Sequence, residues 1–297
     1  MTNFRKVCVF NQSFGLPHTD TLEPDVLKEN KNLSKLRVDL CVEEAEELTE
    51  AITTSDFTEV IDALTDELYV AYGAGSSFGI NLDTLFRYKV FNNLWKETHP
   101  EKGDLDIESF EETVLRCPSV ETDMLTLSNY KLLKNIIENT DSFFTKKRVD
   151  TINSDDIFSD KIKTEEYDNI QIMFNELHMN LKQSVSHLVE NKGSMNFTGV
   201  MGDLVDILHD TYKLGIFLGI DLDVSFDIVH KSNMSKLCIN EQEAEDTVNN
   251  YKLNDKRYNS PEYRKSDNNK YWVVFNRDTG KILKSINYTP ANFSELF

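Results

Sequence analysis

Apolar residues recur at three- and four-residue spacing through much of the chain, the period of an amphipathic helix. In residues 34–53, Leu36, Leu40, Ala45, Leu48 and Ile52 mark one such face, and a shorter helix is expected near residues 3–13. The segment FTEVIDALTDELYVAYGAGSSFGINLDTLFRYKVFNNLWK, residues 57–96, reads as helix, a GINLD connection, then helix. Its glycine is placed to stop the first helix and Asp83 to cap the second. Residues 1–100 are therefore expected to form a four-helix unit, and the acidic, aperiodic residues 101–125 a connector. A second helical unit, 126–297, opens on SNYKLLKNIIENT. After Lys236 the sequence turns polar and loop-like until YWVVFNRDTGKILKSI, whose two runs of strand-forming residues around Asp278, Thr279 and Gly280 predict a β-hairpin.

The two units share more than a period. At an offset of 140, residues 57–96 lie over 197–236 without a gap. Phe57/Phe197, Thr58/Thr198, Leu64/Leu204, Asp66/Asp206, Tyr72/Tyr212, Gly79/Gly219, Leu82/Leu222, Asp83/Asp223, Phe86/Phe226, Asn93/Asn233 and Lys96/Lys236 are identical. Unrelated amphipathic helices share apolar spacing, but not a glycine, aspartates and an asparagine in register, so the pattern points to a tandem duplication. The expected fold class is all-α: two helical-bundle repeats packed as a pseudo-dimer, with a small carboxy-terminal hairpin.

Charge narrows the partners. A net charge of −19 repels nucleic-acid backbones, and it would repel a polyanionic small molecule too unless divalent cations intervened. No apolar run is long enough to cross a bilayer and no secretory signal is evident at the amino terminus, which predicts a soluble protein without a membrane partner. Cys8, Cys41, Cys117 and Cys238 are scattered and form no CxxC pair, which fits buried thiols in a cytoplasmic setting better than zinc or disulfides.

The cation requirement meets a matching motif. In VEEAEELTEAI, Glu43, Glu47 and Glu50 share one helical face with Glu44 beside it, and in FTEVIDALTDEL, Glu59, Asp62 and Asp66 share another. Two adjacent antiparallel helices could aim both faces into one space. Packed carboxylates drive each other toward protonation unless cations neutralise them, and oxygen-only donors suit Mg²⁺ or Mn²⁺ rather than zinc or copper. The competing reading is two solvated acidic faces.

EExxE followed by ExxD resembles the signature of the all-α NTP pyrophosphohydrolases, the superfamily of MazG and phosphoribosyl-ATP pyrophosphohydrolase. DALTDELYVAYG, FGINLD, VHKSNMSK, GKILKSINYTP and the early VFNQSFGLP look like the phosphoribosyl-ATP-pyrophosphohydrolase-like branch, across most of both repeats. The resemblance implies Mg-dependent hydrolysis of a nucleoside triphosphate, a deoxynucleotide or a non-standard one, between its α and β phosphates. It implies Glu44, Glu47, Glu59 and Asp62 as metal ligands, with Asp66 a further candidate, and Glu43 as the residue that orients or deprotonates the attacking water.

The second repeat departs from this pattern. Gly199 and Gly202 replace Glu59 and Asp62, and Leu177 and Asn180 fall where Glu44 and Glu47 should be, leaving Asp206 alone. VHKSNMSK nevertheless matches the family better than VFNNLWK. Asn233 and Lys236 are thus expected to touch substrate, with Lys281, Lys284 and Tyr288 from the tail, while Asn93 and Lys96 are their counterparts in the first repeat. Pseudo-dimer packing would let one repeat hold metal and the other nucleotide, and it leaves room for a further homodimer. Two other functions stay open: a phosphoribosyl-ATP pyrophosphohydrolase, and a non-catalytic nucleotide-binding regulator or scaffold.

Overall fold

The computed structural model describes residues 1–98, 101 and 165–296, apart from Lys256 and Asn268. The expected connector, beyond Glu101, and the expected helix SNYKLLKNIIENT lie outside these residues. The described chain folds as nine α-helices and a two-stranded antiparallel sheet. The first half holds α1 (Asn3–Phe14), a short α2 (Val26–Glu29), α3 (Lys31–Thr54), α4 (Phe57–Phe78) and α5 (Leu82–Thr98). The second half holds α6 (Glu165–Gly193), α7 (Phe197–Phe217), α8 (Leu222–Met234), α9 (Glu241–Asn254), β1 (Pro261–Lys265) and β2 (Trp272–Asn276).

α4 and α7 form the centre. Both bury most of their length, and they pack against each other. α3 flanks α4 and α6 flanks α7, whereas the following helices cross over: α8 lies on α4, and α5 lies on α7. α1 fills the angle between α4 and α8. Each fully buried leucine or phenylalanine of this core contributes roughly 1.5–3 kcal/mol, so the two halves stabilise one another.

Equivalent features recur at the offset of 140. The α3–α4 turn has Ser55 at φ 55° and Asp56 accepting from the amides of Thr58 and Glu59; the α6–α7 turn has Met195 at φ 59° and Asn196 accepting from Gly199. A Cβ on Gly75 would meet the Leu82 side chain at 2.5 Å, and one on Gly215 would meet Leu222 at 2.5 Å, so both junctions need a residue without a side chain. Contacts across the halves are reciprocal, as an isologous pairing requires. Tyr72 packs on Phe226 at 5.9 Å, and Phe86 on Tyr212 at 5.5 Å. Asn93 bonds His209 at 3.2 Å, and Asn233 bonds Tyr69 at the equivalent position.

Four local expectations are corrected. Leu36 is 53% exposed, because the buried stripe of α3 runs through Arg37, Val38, Cys41, Ala45, Leu48 and Ala51. Asp83 is not the cap, and neither is its counterpart Asp223. Asn81 and Asp221 accept the first amides, while Asp83 and Asp223 are buried, accepting from Thr2 at 2.7 Å and from Tyr212 at 2.9 Å. The polar stretch after Lys236 contains α9, capped by Asn240, which accepts from the Glu243 amide, while the Glu243 side chain accepts from the Ile239 amide, and anchored by buried Ala244, Thr247 and Val248. The second run of the expected hairpin returns to β2 through the Phe275–Ile282 bridge, and the full partner of β2 is β1, in register from Pro261↔Asn276 to Lys265↔Trp272. That strand starts on a proline and is mostly charged, so it carries no alternating apolar signal.

Candidate active site

The α3–α4 hairpin brings the two acidic faces together. Glu44 is half-buried, with its Oε2 enclosed and without a hydrogen-bond partner. Burial, then the charges of Asp66, Glu47, Glu43 and Asp62, push its carboxyl up to about 8. Asp66 is pushed up to about 7 by burial and by Asp62 and Glu47, against the pull of Lys236. Asp62 is raised by burial and by Glu59 and Glu47. Five carboxylates, Glu44, Glu47, Glu59, Asp62 and Asp66, thus feel one another across two helices. Glu43, Glu47 and Glu59 stand at the exposed rim.

Among the described residues, no three or more His, Cys, Asp and Glu side chains are arranged to hold a metal ion as they stand. The donor chemistry nonetheless fits a divalent cation. All donors are carboxylate oxygens, the inner oxygen of Glu44 lacks a partner, and the mutual repulsion is what a hard cation relieves.

The cationic residues of the second half arrive from the opposite side. Because α8 crosses onto α4, its end places Lys236 within the field of Asp66. Burial lowers the Lys236 ammonium; Tyr288 and Asp66 oppose this, while Lys284 and Lys281 add to it. Lys236 Nζ donates to Asn233 Oδ1 at 2.6 Å, Ser232 donates to Tyr288 at 3.1 Å, and Lys284 Nζ sits 4.3 Å from the centre of the Tyr288 ring. Further bonds fix the tail to the body. Ser285 donates to the Ser235 carbonyl at 3.0 Å, and Arg264 donates to the Phe14 carbonyl at 2.5 Å. Asn233, Lys281, Lys284 and Tyr288 therefore gather around Lys236, which lies within the field of Asp66.

The corresponding place in the second half differs. Asp206 is ion-paired with Lys89 at 2.8 Å, and Asn93 is held by His209 on α7, away from the α3–α4 carboxylates. Lys96, on the last turn of α5, is exposed. In this half His178 bonds Thr49 at 3.1 Å, and His230 bonds Tyr69 at 3.1 Å.

Two groups beside the site escape a reading by motif. Tyr69, buried on α4 and bonded to His230 and Asn233, ties the carboxylate helix to α8. Glu67 is fully enclosed between the halves of the α3–α4 interface, next to Asp66 in sequence. Its signal was a charged residue on the apolar stripe of Val60, Leu64 and Ala71, where charge is rarely tolerated.

Comparison with known proteins agrees with this geometry. The phosphoribosyl-ATP pyrophosphohydrolase family model matches residues 7–88, which run from within α1 to within α5 and include all the clustered carboxylates. The chain is also 34% identical over 296 residues to uncharacterized protein L479 of Acanthamoeba polyphaga mimivirus, covering 99% of this chain and 95% of the viral protein. No solved structure matches the chain at a significant level. No described helix is long and apolar enough to cross a membrane. The chain belongs with the viral protein to one family, and its amino-terminal part is of the phosphoribosyl-ATP pyrophosphohydrolase type within the MazG-like all-α NTP pyrophosphohydrolases.

Proposed function

We propose that the chain is a Mg²⁺-dependent nucleoside triphosphate pyrophosphohydrolase, with Mn²⁺ as an alternative ion, that splits (d)NTP into (d)NMP and pyrophosphate at one composite site. The observation that carries this reading is the approach of Lys236 to Asp66, which joins a carboxylate cluster from one half to a lysine cluster from the other.

Glu44, Glu47, Asp62 and Asp66 would hold the divalent ions, with Glu59 at the rim. The bound ions would offset the charge of the phosphate oxygens during attack. Glu43 orients a water and takes its proton as the water oxygen bonds to the α-phosphorus. The bond from that phosphorus to the bridging oxygen breaks, and pyrophosphate leaves with the electron pair. Lys236, Lys281 and Lys284 face that departing charge, with Asn233 and Tyr288 supplying hydrogen bonds. The second half lacks the matching carboxylates, and its Asp206 is engaged by Lys89, which supports one working site per chain. The reciprocal contacts at a constant offset support a tandem pair in which one copy kept the metal ligands.

The test is a panel of NTPs and dNTPs, with phosphoribosyl-ATP included because of the matched family's name, incubated with Mg²⁺ and resolved by product chromatography. Monophosphate plus pyrophosphate is the expected outcome. Release of orthophosphate, or binding without turnover, would refute the proposed reaction and favour a different phosphohydrolase or a nucleotide-binding regulator.

A further inference from the structure

Along their seam, α4 and α8 meet in three layers: Tyr72 against Phe226, Tyr69 against His230 and Asn233, and Asp66 in the field of Lys236. The first layer is core and the last belongs to the candidate site, so the middle one joins them. It is polar and connected. Lys236 Nζ donates to Asn233 Oδ1 at 2.6 Å, Asn233 bonds the Tyr69 phenol, and Tyr69 Oη lies 3.1 Å from His230 Nδ1. An ammonium only donates, so Lys236 holds the carboxamide oxygen and leaves the Nδ2 group to donate to the phenol. In agreement, the Asn233 bond pulls the phenol pKa down, as a donor does, while burial raises it and keeps the Tyr69 proton in place. That proton needs an acceptor, and His230 offers one. Burial and Lys6, against Asp227, bring the imidazole down to about 4, so the ring is neutral at pH 7 and Nδ1 can accept, which leaves the ring proton on Nε2.

The other half shows what this layer adds. At the offset of 140, His209 takes the place of Tyr69 and holds Asn93 at 3.2 Å, but buried Val90 stands where His230 does, and Lys96 is exposed. The asparagine tether thus belongs to both halves of the fold, whereas the histidine acceptor accompanies the half-buried Lys236. We infer that Tyr69 and His230 are positioning residues, which lock the Asn233 carboxamide with its oxygen toward Lys236 and so hold that ammonium where the departing phosphates are met. The inference rests on the proposed reaction, and the experiment separates the two.

KM for the nucleotide with the highest turnover, and Mn²⁺ affinity by electron paramagnetic resonance, are measured on full-length wild type, Y69F, N233A and the Y69F/N233A double variant. Y69F is expected to raise KM about three- to tenfold, N233A about tenfold, and the double variant no more than N233A, because Tyr69 acts through Asn233. Mn²⁺ affinity stays within about twofold throughout. A Tyr69 that merely packs α4 on α8 would multiply the losses in the double variant, or displace Asp66 and weaken Mn²⁺ binding; either result overturns the inference and leaves the reaction standing. Imidazole nitrogen NMR needs neither turnover nor a folded N233A. Wild type should show a neutral His230 with its proton on Nε2, and Y69F should shift the Nδ1 resonance; a proton on Nδ1 overturns the inference alone. A wild type inert toward every nucleotide of the panel removes the reaction and the inference together.

Discussion

Lys89 of α5 and Asp206 of α7 form an ion pair at 2.8 Å, and Asp206 is the residue that corresponds to Asp66 in the other half. Each of these aspartates thus meets a lysine from the other half, but Asp66 alone of the two adjoins the Glu44, Glu47 and Asp62 carboxylates of the α3–α4 pair, whereas the acid beside Asp206 is Asp203. Glu47→Gln is therefore expected to lower turnover at least about 100-fold, beyond the loss seen for outer-shell partners. Asp206→Asn breaks a half-exposed ion pair worth at most about 1 kcal/mol and leaves turnover within roughly threefold. Steady-state assays of both variants, with calorimetric Mn²⁺ stoichiometry, check this; equal damage, or two equivalent clusters per chain, contradicts it.

In the proposed reaction the lysines face the leaving group rather than the attacking water. Lys236→Ala and Lys284→Ala should each raise KM about tenfold or more, the effect growing at low ionic strength. A KM unchanged in both variants, measured across a salt series, would detach the tail from the substrate.

Cation binding should release protons. Burial and neighbouring acids raise Glu44 to about 8 and Asp66 to about 7, so both carboxyls carry protons below those values and the ion must displace them. Mn²⁺ affinity is expected to rise about 10–100-fold between pH 6 and pH 8 and then level off. Calorimetry in buffers of different ionisation enthalpy reads the released protons directly; a pH-independent affinity opposes the clustered arrangement.

Asp223 lies outside the carboxylate cluster and is pushed up to about 7 by burial, against bonds from Tyr212 and Asn3. Its folded value exceeds the unfolded one near 4, so between those values the folded chain binds more protons and stability falls as pH rises. The Asp223 contribution is complete below about pH 4 and gone above about pH 7. Asp223→Asn, which keeps one acceptor oxygen for Tyr212 and Asn3, should flatten this slope and stabilise the chain at pH 8 by about 1–3 kcal/mol. Urea unfolding of both proteins at pH 5 and pH 8 checks it, and an unchanged slope excludes the assignment.

The helical period was legible because it is a local regularity, the i, i+3, i+4 spacing in α3 and α4, and the likeness of residues 57–96 to 197–236 is read directly from the sequence at an exact offset from Phe57/Phe197 to Lys96/Lys236. The crossing of α8 onto α4 was foreshadowed only by the family pattern in the second half, since no local signal tells Lys236 which aspartate it will meet. α9 was hidden by its polar composition, as one narrow buried stripe suffices to dock it. The caps were misplaced by two residues because Asn81 and Asp83, or Asp221 and Asp223, are chemically equivalent acceptors; what decides is that the second of each pair faces Tyr212, Thr2 or Asn3 inside the core. Glu67 went unnoticed because a motif search rewards spacing and ignores a charge set in an apolar row.

Asp66 and Lys236 share one polypeptide, joined by the crossing of α8 onto α4. Where two such groups come from separate subunits, dilution pulls them apart; here their effective concentration is set by covalent linkage and does not change with the amount of protein. Specific activity should then stay constant however scarce the protein becomes.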